Sequence, residues 1–293
     1  MLAASFLLWY HSIMKTIRHT IHFLTAVCVI FSMLCGCNNA EAPVPSLTLT
    51  VFACGKADAM LLQFDDYTVM IDTGENGDGD ELVESLSLAG VKNIDLMILT
   101  HHDKDHIGGA DAILNHFPTA TVRMPSYETN TKQYLELIDA LEESETEIVR
   151  MNKDAVFSLG SADFVMWVSP LEYNGKDGDD NEQSLVTKFI YQGKSFLFTG
   201  DAEKEWLKNL CFSSRNLTCD VLKLPHHGVY DKNIPTLLAL TLPDYVLITD
   251  SAKNPADSKT IDILKTLGQH VFRTENGTIR MTLTNGTFSV VQY

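Results

Sequence analysis

Four times between residues 67 and 227 the chain lays down a short apolar run and ends it on ionisable side chains. YTVMID stops at Asp72, and IDLMILT runs into His101, His102, Asp103, Lys104, Asp105 and His106. KSFLFTG is followed by Asp201, and DVLKLP by His226 and His227. Each run has the length and the aliphatic, aromatic content of a buried strand. Carboxylates and imidazoles at buried strand ends lose hydration and must find partners. The chain is thereby constrained to an α/β sheet whose strand ends share a rim, the place where such sheets bind ligands. Taken singly, these residues read as satisfied core histidines or turn aspartates. Together they form the mixture of hard oxygen and imidazole that divalent metals take.

The rest of the pattern fits one such domain. LTLTVFA, MLLQF, TVRMP, FVMWVSP, SLVTKFIYQ and DYVLITD read as further strands. ELVESLSLAG is an amphipathic helix closed by Gly90, EKEWLKNLCF is a second, and further helices are expected near 233–240 and 258–267. TIRMTLT and TFSVVQY are joined by Asn285-Gly286, a strong hairpin signal. The acidic, glycine-rich segments 74–80 and 174–182 read as loops. No internal repeat or low-complexity tract interrupts residues 47–293, which are expected to form one α/β domain.

Residues 1–36 read as an export signal instead of part of the fold. From Met14, a fitting true start, a basic stretch with Lys15 and Arg18 precedes an apolar run, Phe23 to Leu34, too short to span a bilayer as a helix. The run ends Leu34-Cys35-Gly36-Cys37, which resembles the bacterial lipobox and makes Cys37 the expected lipidated residue and first mature position. Residues 37–46, with Pro43 and Pro45, then form a tether from the membrane. Asp and Glu outnumber Lys and Arg by 38 to 22, a formal charge of −16, and removing residues 1–36 takes away only Lys15 and Arg18 among charged residues. So acidic a surface repels nucleic-acid phosphates and anionic lipid at long range, which disfavours DNA as a partner. Beside Cys37 the mature chain keeps Cys54, Cys211 and Cys219, an odd number for a disulfide framework, although Cys211 and Cys219 could pair in an oxidising compartment. Cys54 reads as a small core hydrophobe. No GxSxG elbow, GKS/T phosphate loop or paired catalytic cysteine competes with the polar rim.

The stretch His101-His102-Asp103-Lys104-Asp105-His106 resembles the HxHxDH signature of the metallo-β-lactamase-fold hydrolases, with Asp103 where the second histidine usually stands. That substitution, with VFACGKADAMLL, MIDTG, FLFTGDAE and VLKLPHHG in the same order, is similar to the branch containing the hydrolase domain of the ComEC competence proteins. The resemblance covers the whole domain. It implies a four-layer αββα sandwich with a dinuclear metal site at one edge, Zn most expected and Mn or Fe competing because the ligand set is rich in oxygen. Position by position it implies His101 and Asp103 on the first metal, Asp105 and His106 on the second, and Asp201 bridging. The third histidine of the first site is missing, and Asn181 and Ser184 stand in the matching stretch, so weak occupancy of that site is expected. His226 is expected to complete the second site because it follows the strand directly, leaving His227 to contact substrate or protonate the leaving group; the pair can also be assigned the other way round. Asp72 matches an aspartate that orients the histidine motif, and equally suits a turn before Thr73-Gly74. Asp58 matches an acidic position that faces the site. Where the branch carries a histidine after SAKNPA, this chain has Asp257 or Ser258.

The chemistry so implied is hydrolysis by a metal-activated water, with Asp105 and His227 as catalytic residues. A phosphoester or phosphodiester of the cell envelope is the expected substrate, acted on outside the cytoplasm by a membrane-anchored lipoprotein. β-Lactam hydrolysis is a weaker expectation without the third histidine. The alternative is a surface lipoprotein that binds metal or ligand with impaired catalysis.

Overall fold

A computed structural model of the protein describes residues 46–175 and 180–293. The expected signal segment, Met14, Cys37 and the tether up to residue 45 lie outside the described residues. Within them, the apolar runs become strands stacked in two sheets. The first has the order β15-β14-β1-β2-β3-β4-β5-β6 and the second β13-β12-β11-β10-β9-β8-β7. In chain order these strands are β1 (Leu47–Val51), β2 (Ala59–Phe64), β3 (Tyr67–Thr73), β4 (Ile94–Ile98), β5 (Thr119–Pro125), β6 (Glu147–Met151), β7 (Ala155–Leu159) and β8 (Ala162–Trp167). They continue with β9 (Val186–Tyr191), β10 (Lys194–Phe198), β11 (Val221–Lys223), β12 (Tyr245–Ile248), β13 (His270–Arg273), β14 (Ile279–Thr284) and β15 (Thr287–Gln292).

The inner faces of the sheets meet in a core that includes Phe64, Phe164, Phe189, Tyr191, Phe196 and Phe198. Their outer faces are covered by helices. On the first sheet lie α1 (Gly79–Leu88), the short α2 (Lys104–Ile107), α3 (Ala110–His116) and α4 (Lys132–Glu142). On the second lie α5 (Lys204–Cys211), α6 (Ile234–Thr241) and α7 (Ser258–Leu267). Helix, sheet, sheet, helix is the αββα sandwich expected. Burying central strands on both faces requires near-continuous apolar runs, and β2 is buried at all positions but Gln63.

Both sheets contain a parallel half, β3 to β6 in one and β10 to β13 in the other, so the carboxyl ends of those strands collect at one edge. The expected hairpin forms with Thr284 opposite Thr287 and both Asn285 and Gly286 at positive φ, the conformation a two-residue primed turn demands. Helix α4 and strands β6 and β7 occupy a region that sequence periodicity left unassigned. α4 buries Tyr134, Leu137, Ala140 and Leu141 on one face, and the Thr131 hydroxyl caps it by accepting from the Tyr134 amide. Two loop expectations are shortened: α1 begins at Gly79, and Asn181–Gln183 make a 3-10 turn. Cys211, the last residue of α5, and Cys219 form no disulfide; both pack in the apolar layer on the outer face of the second sheet. Among the described residues, no helix is long and apolar enough to cross a membrane.

Candidate metal centre

β4 ends at Ile98, and the polar burst begins three residues later with the chain extended. Asp103 is still extended, and its carbonyl accepts from the amides of His106 and Ile107. The single turn of α2 so formed swings Asp105 and His106 back toward His101. The glycine pair that follows exists for close approach: a Cβ on Gly108 would sit 2.2 Å from the Asn76 amide nitrogen, and one on Gly109 2.3 Å from the Thr73 carbonyl oxygen. His101 and His106 are fully buried, and Asp105 and Asp201 nearly so.

Of three sets of ligand atoms each within 4.8 Å, two converge there, His101, His106 and Asp201, and Asp105, His106 and His227, while the third, Asp58, Asp72 and His106, includes the carboxylates behind the rings. Asp201 Oδ1 lies 3.3 Å from His106 Nε2, and its Oδ2 lies 3.1 Å from His227 Nε2. Asp105 Oδ2 stands 3.6 Å from His227 Nε2, and Asp103 Oδ2 3.6 Å from His101 Nε2. Although some of these contacts are short, Nε2 of all three imidazoles and Asp201 Oδ1 lack a partner in hydrogen-bond geometry. Buried polar atoms seldom remain so. Three imidazole nitrogens and carboxylate oxygens aimed at one another are the donor set of a divalent cation, so the residues fit the metal that the sequence implies.

The far side of each ring is held. Asp72 accepts from the Thr100 amide at 2.7 Å and hydroxyl at 2.8 Å, and its Oδ2 lies 2.8 Å from His106 Nδ1. His227 Nδ1 faces Thr249 Oγ1 at 3.1 Å and Asp58 Oδ1 at 3.4 Å. His101 Nδ1 faces the hydroxyls of Thr100 at 3.1 Å and Ser184 at 3.4 Å, and the Ser184 hydroxyl also accepts from the Asp201 amide. Holding Nδ1 leaves each Nε2 lone pair free for a metal. Asp72 thus does more than turn the chain.

The charges are strongly coupled. Burial pushes the His227 imidazole down, but Asp201, Asp105 and Asp58 outweigh it and raise its pKa to about 10. Burial likewise opposes the charge on His106, and Asp201 and Asp72 lift it well above the usual histidine range. Burial raises Asp201 and Asp105, yet the same imidazoles hold both carboxyls below the carboxylate range, with Lys56 helping at Asp105. Protons on these rings supply the positive charge that the carboxylates require; a metal ion would replace them.

The structure separates the two histidines of the pair. His227 joins the cluster, whereas the half-buried His226 turns its Nδ1 to Glu203 Oε2 at 2.9 Å and keeps its Nε2 3.9 Å from Asp201 Oδ2. His226, His227 and Gly228 all have positive φ, so the chain bends sharply after Pro225 and sends the second histidine inward. His226 instead lines a cavity of about 390 Å³ with Ala202, Lys204, Tyr230 and Lys232. Asn181 is buried in its 3-10 turn but belongs to neither ligand set. Asp257 stays outside too; its carboxylate accepts from the Tyr230 amide and so braces the turn that carries the histidine pair. Sequence reasoning passed over Lys223, fully buried with its Nζ 2.7 Å from Asp58 Oδ2. A lysine inside the apolar run DVLKLP was the available signal.

Curated relatives of similar sequence include ComE operon protein 3 of Bacillus subtilis, 30% identical over 71% of this chain and 27% of that protein. Competence protein ComA of Neisseria gonorrhoeae is 27% identical over 72% of this chain and 28% of its own length. The chain therefore spans little more than a quarter of these relatives. Among solved structures, the metallo-beta-lactamase fold protein YhfI from Bacillus subtilis superposes with a TM-score of 0.53 at 13% identity, covering 85% of this chain and all of that one. CmlA, a diiron β-hydroxylase from Streptomyces venezuelae, gives 0.53 at 14% identity over 84% of this chain and 55% of its own. Identities this low speak for the fold alone. The profile of the metallo-beta-lactamase superfamily matches residues 53–249, and with two stacked sheets meeting at a histidine and aspartate cluster, the chain belongs to that superfamily.

Proposed function

We propose that the protein is a metal-dependent hydrolase acting through an activated water on a phosphoester or phosphodiester outside the cytoplasm. The observation that carries this reading is Asp201, whose two oxygens face His106 and His227 beside two ligand sets that share His106. His101, Asp103 and Asp201 would hold one ion, and Asp105, His106, His227 and Asp201 the other, zinc being the first choice and manganese or iron the competitors. Two such ions supply an acidified water and a clamp for phosphoryl oxygens. The chain's own residues do the rest. Lys56, with 40% of its side chain exposed, places Nζ 2.8 Å from Asp105 Oδ2, where it can meet an anionic substrate at the rim. Glu203 orients His226, which lines the neighbouring cavity with its Nε2 3.9 Å from Asp201 Oδ2, where the ring can contact a substrate held at the cluster. The cavity beyond, with Lys204 and Lys232 in its wall, is where the remainder of such a substrate fits.

Residues 38–293 loaded with Zn²⁺ or Mn²⁺ should hydrolyse a chromogenic phosphodiester and leave a chromogenic β-lactam intact. Metal uptake with no turnover of either would instead favour a binding protein with impaired catalysis, a reading to which the missing third nitrogen beside His101 lends support. Anchoring through lipidated Cys37 belongs to the same proposal, because acyl chains there would supply most of the membrane affinity. Cys37→Ala should release the protein from the membrane fraction or leave it unprocessed; unchanged processing and retention would remove the anchor from the proposal.

A further inference from the structure

We infer that Lys223 is a positioning residue for the metal centre, acting through Asp58 on the inward imidazole of His227. Lys223 is the last residue of β11, two positions after Val221, and so shares the face that Val221 presents to the core between the sheets. A lysine and an aspartate, both fully buried, meet there as an ion pair with Nζ 2.7 Å from Oδ2, although neither atom has a partner in hydrogen-bond geometry. Removing two such charges from water is unfavourable, and apolar residues of similar size commonly stabilise a core as well or better. The pair therefore asks for a reason other than stability.

The geometry of Asp58 supplies one. Its amide donates to the Asp105 carbonyl at 3.0 Å and its carbonyl accepts from Gly74 at 2.8 Å, which fixes the loop before β2 against the histidine motif. With Oδ2 held by Lys223, Oδ1 is left to accept from the Thr249 hydroxyl and to lie 3.4 Å from His227 Nδ1. Thr249 itself lies 3.1 Å from that nitrogen. A free carboxylate could rotate or turn toward His106 Nδ1, already 4.0 Å from Oδ2. Lys223 removes that freedom. It comes from the second sheet and Asp58 from a loop of the first, so the pair also ties the ring's angle to the alignment of the two sheets.

The competing account is a structural ion pair that does nothing for the metal. The test measures two quantities, metal-free thermal stability and Zn²⁺ affinity by competition with a chromophoric chelator, in wild type, Lys223→Met, Asp58→Asn and the double variant. Groups that orient metal-bound histidines typically change affinity by about 10- to 100-fold. Each single variant should weaken the tighter Zn²⁺ site by that factor and lower the melting temperature. The double variant buries no unpaired charge, so its melting temperature should recover while its Zn²⁺ affinity stays low. Affinity restored along with stability would make the pair purely structural and overturn the inference, as would undiminished affinity in Lys223→Met. The inference rests on the cluster holding a metal ion, and the wild-type titration tests that separately: no Zn²⁺ uptake there would defeat the metal reading itself.

Discussion

His106 and His227 each have the inner ring nitrogen against a fully buried carboxylate, Asp72 or Asp58, whereas His101 has only the hydroxyls of Thr100 and Ser184 behind it. The contrast extends to the ligands. One half of the cluster gathers two imidazoles with the nearly buried Asp105 and Asp201. The other has His101, a share of Asp201, and Asp103, whose side chain is 41% exposed. A carboxylate behind an imidazole raises its basicity and fixes its angle; a hydroxyl does less. The two halves therefore should differ in metal affinity although they share Asp201. The largest effect tests the sharing. Asp201→Ala and His106→Ala should each reduce hydrolysis by about 1,000-fold or more, and the double variant should be hardly worse, as for residues acting as a unit. Modest, additive losses in a phosphodiesterase assay would show two independent polar sites.

Next comes stoichiometry. Dialysis against a mild chelator should leave close to one ion per chain, read by elemental analysis, because the His101 half offers fewer nitrogens and a ligand open to water. Equal retention of two ions would erase the contrast and would mean that another group repairs the weaker half.

Much of this arrangement was legible from the chain and some was not, for physical reasons. Strands were legible because burial on both faces forces near-continuous apolar runs, and the shared rim followed because each run ended in a group that cannot be left unsatisfied. The ring that enters the cluster was not. That choice is made by positive φ at His226 and His227, strain of roughly 1–3 kcal/mol per residue that only the surrounding packing can impose. Helix α4 was written in the spacing of Tyr134, Leu137 and Leu141 and in Thr131, but its mixed polarity hid it. The role of Lys223 required knowing that a loop more than 160 residues earlier returns to it.

A smaller effect separates the halves by pH. His227, raised to about 10 from an ordinary 6.5, holds its proton more tightly folded than unfolded. In the metal-free protein it therefore contributes stability that is fully present below pH 6.5 and lost as pH rises through 10. A metal ion must displace that proton and the one on His106, so affinity at this half should fall by about tenfold per exchanged proton for each pH unit below the raised pKa values. Melting curves of both forms between neutral pH and 10 should show the metal-free protein losing stability while the loaded protein does not. Parallel curves would mean that His227 is not where the ion binds.

The smallest expected effect is the most selective. The Ser184 hydroxyl lies 3.4 Å from His101 Nδ1 and accepts from the Asp201 amide at 3.1 Å, so it touches the weaker half directly and the shared ligand only through its backbone. Ser184→Ala removes one neutral hydrogen-bonding group from a fully buried position. Thr100 Oγ1, 3.1 Å from the same ring nitrogen, remains to orient His101. At His101 the loss is then that of a single neutral hydrogen bond, about 0.5–1.5 kcal/mol, or roughly two- to tenfold in affinity. A two-step Zn²⁺ titration should show this loss in the weaker step, with the tighter step unchanged because Asp72 and Asp58 still hold its two imidazoles. If both steps weaken together, Ser184 acts through the placement of Asp201, and the two halves are coupled more closely than their separate supports imply.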